Sequence, residues 1–479
     1  MSLKVLMVAS EVSPFAKSGG LGDVTGSLPK ALQNAGVEIC VVFPKYKSVK
    51  QEYVDSAEYI TGYDVTLDWR VQYADIFKLK ADVPTYMIGN DFYFGNRDGY
   101  YGYGDDCERF TFFSKAALEM INYIDFIPDV IHTNDWQTGL VSLYLKDKYS
   151  KISFYQNIKS LYTIHNLQYQ GVFPSSCLSL MELDYGYLTS DKLEFYGTVN
   201  LMKGGLVYAD AINTVSNTYA EEVKRPEYGY QLDGVMRSRD NVLYGIVNGI
   251  DYEENNPATS KKIFVNYDVN SIEKKKENKF KLQEELGLPV CDVPMISIIS
   301  RLADQKGINL LLDIAGELLS KDVQLVILGT GNSYFEYRFR ELQSWYPKKV
   351  SANITFNDTL AQKIYAGSDI FLMPSLFEPC GLGQLFAMSY GTIPVVRTTG
   401  GLVDTVEHYN PETGKGNGFK FQDFLGSGLM WGINEALRLY EDKEQWTQIM
   451  KNAINTRFSW DVSAQEYIKL YKMLCNKED

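Results

Sequence analysis

Lys17-Ser18-Gly19-Gly20-Leu21-Gly22-Asp23 lies between an apolar run, Val5 to Ala9, and a helical pattern carried by Leu28, Leu32 and Ala35. A strand that passes through a glycine-rich turn into a helix presents backbone N–H groups at the helix N-terminus. Such a place favours phosphate or another anion. Glycine lets a ligand approach the backbone closely because it has no Cβ, and Lys17 adds a positive charge. The spacing is neither that of a dinucleotide fingerprint nor that of a P-loop. Two readings therefore stand: an anion cradle, or a helix packed tightly on its sheet.

Strand-like apolar runs alternate with helical patterns on both sides of this turn, which predicts α/β architecture with parallel sheets covered by helices. Glu38 to Phe43 reads as a second strand. The alternation of Val65, Leu67 and Trp69, then Ile76 and Leu79, reads as a β-hairpin insertion within residues 53–90. Residues 92–104 form a Gly- and Tyr-rich loop, and a helix is expected from about Phe110 to Ile124. Pro128 to His132 is a strand leading into Thr133-Asn134-Asp135-Trp136, and Leu161 to Ile164 is a strand ending at His165-Asn166. In a doubly wound sheet the carboxyl ends of the strands face the ligand crevice, so Lys17, Asp135, His165 and Asn166 share one rim.

Ala211 to Val215 and Tyr244 to Val247 add strands, the latter ending at Asn248-Gly249. Polar, turn-rich Asp251 to Pro257 reads as a linker, which puts the domains at 1–252 and 253–479. The charge run Glu273 to Lys279 reads as a solvated helix face. A second α/β series opens with the strand Pro294 to Ile299 and continues with strands at 324–328, 354–356, 370–373 and 393–396; after Gly428 the pattern is helical. Ser300-Arg301-Leu302-Ala303-Asp304-Gln305-Lys306-Gly307 places two cations on the loop leaving a strand. Arginine forks onto phosphate and lysine acts as a point charge. Singly, either would be a surface ion-pair partner; beside the helix starts Pro374 to Leu382 and Thr399 to Asp404, an anion site is the favoured reading.

A chain of 479 residues exceeds one ordinary core, and about 150 residues per domain suggests two to three domains. The net charge of −13 argues against a nucleic-acid partner yet leaves room for a small anion held by local cations. Six cysteines without a Cys-x-x-Cys, and three histidines, fit neither a disulfide framework nor a zinc site; they read as reduced thiols of a cytoplasmic protein. The N-terminal apolar run is short and soon meets Glu11, as a first strand does and a signal peptide does not. No stretch approaches the ~20 apolar residues of a membrane span. The 35 tyrosines and 24 phenylalanines include loop rings able to stack on sugar faces.

Six motifs in chain order carry a resemblance: Lys17-Ser-Gly-Gly-Leu, His165-Asn-Leu-Gln-Tyr-Gln-Gly171, Asn248-Gly-Ile-Asp251, Ser300-Arg-Leu to Gln305-Lys-Gly307, Phe377-Glu-Pro-Cys-Gly-Leu382 and Thr399-Gly-Gly-Leu402. Together they resemble bacterial glycogen synthase and plant starch synthase. The resemblance implies a GT-B fold, two Rossmann-like doubly wound domains facing a deep interdomain cleft, with an acceptor-binding catalytic N-terminal half and a donor-binding C-terminal half. The last helix would pack back toward the N-terminal domain. It implies transfer of glucose from ADP-glucose to the non-reducing end of an α-1,4-glucan, with retention, no metal and no cofactor, the domains closing over the donor.

By the same resemblance His165 and Asp135 line the sugar and the reacting carbon, and the acceptor hydroxyl attacks from the face the phosphate leaves. Arg301 and Lys306 meet the charge that develops on the departing diphosphate, helped by Lys17 and the Gly19 and Gly20 amides. Glu378 holds the glucose hydroxyls, or else is a helix N-cap carboxylate. Asp23, Asn166 and Asn248 are donor or sugar contacts by motif, and Phe356 is either an aromatic against the nucleobase or a core phenylalanine. The glycine-rich helix starts supply Cys380, Gly381, Leu382, Gly383, Thr399, Gly400 and Gly401 to the donor, Cys380 as packing. Several relatives carry Thr or Ser where this chain has Gly383, so only its N–H is expected to reach phosphate. Phe386, where many GT-B transferases carry a second glutamate, fits the glycogen synthase type. Tyr101 in the Tyr-rich loop is the expected acceptor platform. Rivals are a UDP-glucose donor, a sugar-nucleotide epimerase, a phosphorylase, which needs a longer chain, and a glucan-binding paralogue. That paralogue should have lost Arg301, Lys306 or Glu378. Oligomeric state is left open.

Overall fold

Lys4-Val5-Leu6-Met7-Val8 forms β1 (Lys4–Val8), whose last four residues are buried, as a continuous apolar run demands of a strand covered on both faces. It pairs in parallel with β2 (Glu38–Pro44), Val5 opposite Ile39, and on its other side with the strand that carries Val130. In the computed structural model, which describes residues 2–477, β1 lies inside the largest of the three sheets among the described residues. Chain order continues with β3 (Glu58–Leu67), β4 (Arg70–Leu79), β5 (Thr85–Gly89), β6 (Val130–Asn134) and β7 (Lys159–Ile164). Then come three short strands, β8 (Val172–Pro174), β9 (Glu194–Phe195) and β10 (Thr198–Asn200), followed by β11 (Ala211–Thr214) and β12 (Leu243–Gly245). The nine-stranded sheet runs β12-β11-β7-β6-β1-β2-β5-β4-β3, with β8-β10-β9 a separate small sheet. Strand β4 runs opposite to the other eight strands of this sheet, antiparallel to both β3 and β5, because β3 and β4 form the hairpin insertion.

The helix Gly20–Asn34 buries Leu21, Val24, Leu28 and Leu32, the i, i+3/i+4 stripe of an amphipathic helix. The helix Trp460–Leu474 packs beside it and is keyed to the sheet by a buried polar network. The His132 ring meets Tyr471 OH at 2.7 Å and Thr163 Oγ1 at 2.6 Å, while Asn213 donates to Tyr467 OH at 3.0 Å. Each polar group in this network has a partner, as burial requires.

The second unit carries β13 (Met295–Ile299), β14 (Gln324–Leu328), β15 (Val350–Asn353), β16 (Ile370–Met373), β17 (Ile393–Arg397) and β18 (Phe419–Phe421). They form one parallel sheet in the order β15-β14-β13-β16-β17-β18. Compact packing divides the chain into one unit that runs to Gly249 and resumes at Trp460, and another spanning Ile250–Ser459. The division falls three residues before the boundary suggested by the polar linker. Ile250 is a core residue of the second unit, buried to 3%, with its N–H on Phe458 O at 2.9 Å.

Two readings of the second unit need correction. The strand expected at 354–356 lies at Val350–Asn353, where Val350 is buried opposite Leu325. The charge run is a solvated face only in part: Glu273, Lys274, Lys276 and Glu277 are exposed, whereas Lys275 and Lys279, on the helix Lys275–Glu285, are buried. Lys275 Nζ donates to Tyr365 O and Ala366 O, both at 2.9 Å, and to Thr392 Oγ1 at 2.7 Å. It thereby caps carbonyls at the negative end of the helix Asp358–Gly367. Lys279 binds Asp369 at 2.8 Å and Tyr440 OH at 2.9 Å. A buried ammonium is tolerated when its donors are satisfied, and a polar pattern in sequence cannot show that they are.

Both sheets change winding direction once. In the first, β2 lies on one side of β1 and β6 on the other; in the second, β14 lies on one side of β13 and β16 on the other. Ligands of open α/β sheets bind outside the carboxyl ends of strands at such points. The glycine turn after β1, Asp135 after β6, the Arg301–Lys306 loop after β13 and Ser375–Gly383 after β16 all stand there.

Candidate active site

In the first unit β6 ends at Asn134, and the next residue, Asp135, adopts φ 56° and ψ −178°. Positive φ with ψ near 180° is a strained backbone for a non-glycine residue and persists only where the surroundings hold it. The conformation is held from the neighbouring strand: Asp135 N–H donates to Thr163 O at 3.0 Å, and its carboxylate accepts the His165 N–H at 2.8 Å and the Asn166 amide. Burial raises the Asp135 carboxyl to about 7, the amide bonds oppose that rise, and the charge of Glu11 adds to it. His165 meets Asn134 Oδ1 through Nε2 at 2.9 Å, while Asn134 Nδ2 donates to Val8 O at 3.1 Å. The amide is thus oriented with its oxygen toward the ring, so Nε2 carries the proton and Nδ1 presents a lone pair. Burial lowers the imidazole to about 3, so it stays neutral and electron-rich at working pH.

The glycine turn differs from the expected anion cradle in one respect. The Ser18 and Gly19 amides are already taken by the Glu11 carboxylate, the latter at 3.3 Å, and Ser18 Oγ donates to the same group at 2.7 Å. Gly19 therefore does not offer its N–H to a ligand; Gly20 and Leu21 are the first-turn amides with no acceptor among the described residues. Lys17 is exposed and paired with Asp23 at 2.6 Å.

Tyr101 also differs. Its hydroxyl donates to Glu11 at 2.7 Å and meets Ser10 Oγ at 2.8 Å, and its ring sits among Trp136, Phe110 and Tyr100. Its hydroxyl holds the turn, and its ring is half-buried. The open aromatic surface lies instead in a cavity of about 400 Å³ lined by Trp136, Tyr169, Phe195 and Tyr230 with Gln168 and Gln231. Asn248 is buried and its Oδ1 has no hydrogen-bond partner among the described residues.

In the second unit the central feature is a pair. Lys306 Nζ reaches both Glu378 oxygens, at 2.9 and 2.7 Å, and Ser375 Oγ donates to Glu378 at 2.9 Å. The helix Gly383–Ser389 receives no side-chain cap, so the alternative of Glu378 as an N-cap falls away. Arg301, on the same loop as Lys306, is exposed. The Thr399 to Gly401 turn carries the backbone of Glu378: Gly401 N–H donates to Glu378 O at 3.1 Å, and a Cβ on Gly400 would stand 2.0 Å from that oxygen. Gly400 also has φ 46° and ψ −135°. Gly400→Ala is therefore expected to destabilise this unit by roughly 2–4 kcal/mol, read as a drop in urea midpoint; an unchanged midpoint would count against the close packing described.

Cys380 is buried, Gly381 takes a positive φ of 71°, and Leu382 precedes the helix that Gly383 opens. A Cβ at Gly383 would lie 3.0 Å from the Phe371 ring, a packing reason for the missing hydroxyl side chain. Phe356 is 86% exposed, which removes the core reading. Among the described residues no group of three His, Cys, Asp or Glu side chains is placed to hold a metal, and no helix is long and apolar enough to cross a membrane.

Comparison with known proteins accounts for both units. Residues 4–238 match the family model for the starch synthase catalytic domain, and residues 280–453 match the model for glycosyl transferases group 1. The catalytic domain of starch synthase IV from Arabidopsis thaliana, bound to ADP and acarbose, superposes with a TM-score of 0.92 at 32% identity, covering 99% of this chain and 100% of that one. A sucrose-phosphate synthase from Thermosynechococcus elongatus shares the fold at a TM-score of 0.61 and 17% identity, over 99% of this chain and 100% of its own. The fold and these matches define a glycosyltransferase of the GT-B class. Glycogen synthase of Clostridioides difficile is 49% identical over 480 residues, covering 99% of this chain and all of its own; that of Thermotoga maritima is 51% identical, covering 98% of each. The chain belongs to the family of bacterial glycogen synthases and plant starch synthases.

Proposed function

We propose that the protein transfers glucose from ADP-glucose to the non-reducing end of an α-1,4-glucan, with retention of configuration and without a metal ion. The observation that carries this reading is the Lys306–Glu378 pair at the winding change of the second sheet, with Arg301 on the same loop. When the bond from glucose C1 to the diphosphate breaks, charge develops on the leaving oxygen, and fixed cations stabilise it. Arg301 and Lys306 take that role, and Glu378, displaced toward the sugar, accepts glucose hydroxyls. The acceptor O4 forms the new bond to C1 on the face the phosphate leaves, its proton passing to the departing phosphate oxygen as ADP is released.

On this reading the second unit, residues 253–479 less the returning helix, is the donor half, and the first is the acceptor and catalytic half. Gly20, Gly381 to Gly383 and Thr399 to Gly401 serve the donor through backbone groups; Lys17, Asp23, Asn166 and Asn248 serve it through side chains. Exposed Phe356 stacks on the nucleobase. The neutral His165 ring and the ionised Asp135 stand beside the carbon that acquires positive character. The glucan lies along the aromatic cavity, where ring faces meet sugar faces and glutamine amides meet hydroxyls. Support for adenine in the donor comes from the starch synthase IV complex, which holds ADP. Reduced thiols suit a cytoplasmic place of action.

The test is transfer of labelled glucose onto glycogen from ADP-glucose or UDP-glucose with EDTA present. Incorporation from ADP-glucose alone is the expected result. Preference for UDP-glucose would overturn the donor, loss of activity in EDTA would overturn metal independence, and no incorporation from either would overturn the transferase reading.

A further inference from the structure

The exposed turn Lys17 to Gly20 has almost nothing packed on it. Cβ atoms placed on Gly19 or Gly20 would meet no heavy atom within 4 Å, and all four residues are exposed. A glycine-rich segment in that position has wide conformational freedom, yet the proposed donor role needs Lys17 and the Gly20 amide held in one arrangement. From below, the turn is held by one buried carboxylate, which takes two of its backbone amides. Glu11 is 3% exposed. Its Oε2 accepts the Ser18 and Gly19 N–H groups, and its Oε1 accepts Ser18 Oγ and Tyr101 OH, both at 2.7 Å. Tyr101 is in turn held by Ser10 Oγ at 2.8 Å, and Tyr100 OH accepts the Lys17 N–H at 3.2 Å.

We infer that Glu11 is a positioning residue for the donor diphosphate: it clamps the Ser18 and Gly19 amides from below, so that Lys17 and the Gly20 and Leu21 amides face the ligand. The inference rests on the donor reading proposed above for this turn. A negative charge close to a diphosphate is by itself unfavourable, so the contribution of Glu11 is geometric. That has a specific consequence. Glutamine can keep an oxygen toward the two amides and turn its NH₂ toward Ser18 Oγ and Tyr101 OH, since hydroxyls accept as well as donate. The clamp survives without its charge. Alanine leaves both amides without that acceptor, and the turn keeps the Lys17 N–H bond to Tyr100, the Gly22 N–H bond to Gly19 O and the Lys17–Asp23 pair.

ADP titrated into wild-type protein, Glu11→Gln and Glu11→Ala by calorimetry tests this, with maltoheptaose titrated in parallel. The expected result is that Glu11→Ala weakens ADP about tenfold or more, the size of losing a charge-assisted hydrogen bond, with maltoheptaose unmoved. Glu11→Gln should recover most of that loss. The double variant Ser18→Ala, Tyr101→Phe, which strips Oε1 of both hydroxyl donors, should lose severalfold in ADP affinity and serves if Glu11→Ala does not fold. ADP binding at the wild-type level in Glu11→Ala, or in the double variant in its place, would overturn the clamp and leave the donor reading intact. Glutamine no better than alanine would overturn its geometric basis. A wild-type protein that binds neither ADP nor UDP would overturn the donor reading and the clamp with it.

Discussion

Lys306→Ala is expected to lower turnover by roughly two to three orders of magnitude, the scale of removing one fixed group that stabilises developing charge, while maltooligosaccharide affinity is kept. Lys306 Nζ sits 2.7 and 2.9 Å from the Glu378 oxygens, so its charge is balanced by a carboxylate. A donor diphosphate supplies a second anion to the same ammonium. As the bond to C1 breaks, negative charge accumulates on the leaving oxygen, and the lysine interacts more strongly with that transition state than with the ground state. The loss therefore falls on kcat. Among the described residues the same substitution leaves the Glu378 carboxylate, with a side chain 8% exposed, supported by Ser375 alone. A fall in stability of roughly 1–3 kcal/mol is expected for an undercompensated buried acceptor. Lys306→Arg keeps the charge and should recover part of the rate. Turnover of the alanine variant at the wild-type level, in the labelled-glucose assay, would remove Lys306 from the chemistry.

Why that pair could be found from the sequence, and Glu11 could not, is a matter of range. Parallel strands buried on both faces leave long apolar runs, such as Met295 to Ile299, and the glycine turns that follow them mark the carboxyl ends of the sheet. Those signals are local. Lys306 could be picked out on such a turn and Glu378 through a motif of the family resemblance, although their direct contact could not. Glu11 stands in the first strand-to-helix connection with no motif of its own, and its partner Tyr101 is 90 residues away. The tyrosine loop pointed to sugar stacking, but the fold ties the half-buried Tyr101 to Glu11 through its hydroxyl, and the exposed ring of the aromatic cavity is Tyr169. Lys275 and Lys279 misled for a related reason. Hydropathy counts a lysine as solvent-seeking, whereas these two find helix-end carbonyls and Asp369 inside the second unit. Local composition reports which elements form; long-range polar partners decide which charged groups can be buried among them.

Asp135→Asn is the second substitution with a large expected effect, and its signature is a change in pH dependence. Asparagine has the shape of aspartate, and its side-chain oxygen can still accept the His165 N–H, so the bonds that hold the backbone at φ 56° are kept while the charge is lost. In the wild-type protein burial holds the carboxyl at about 7, against about 3.9 in an unfolded chain. Between those values the unfolded chain has released its proton and the folded protein still holds it. Folding then takes up a proton, and stability falls as pH rises. Above about 7 both states are ionised and the deficit is constant. The asparagine variant has no such group, so it is expected to gain in urea midpoint relative to wild type from pH 4 to 7 and to keep that advantage above 7. Activity should move the opposite way. The ionised carboxylate is the electron-rich neighbour of a carbon that acquires positive character, so wild-type kcat/KM is expected to climb through pH 7 to a plateau. The variant should lie about 10²–10³-fold lower, without that limb. A variant with the wild-type limb would assign the ionisation elsewhere. One that matched the wild-type rate would show that the strain and burial at Asp135 serve the fold and not the transfer.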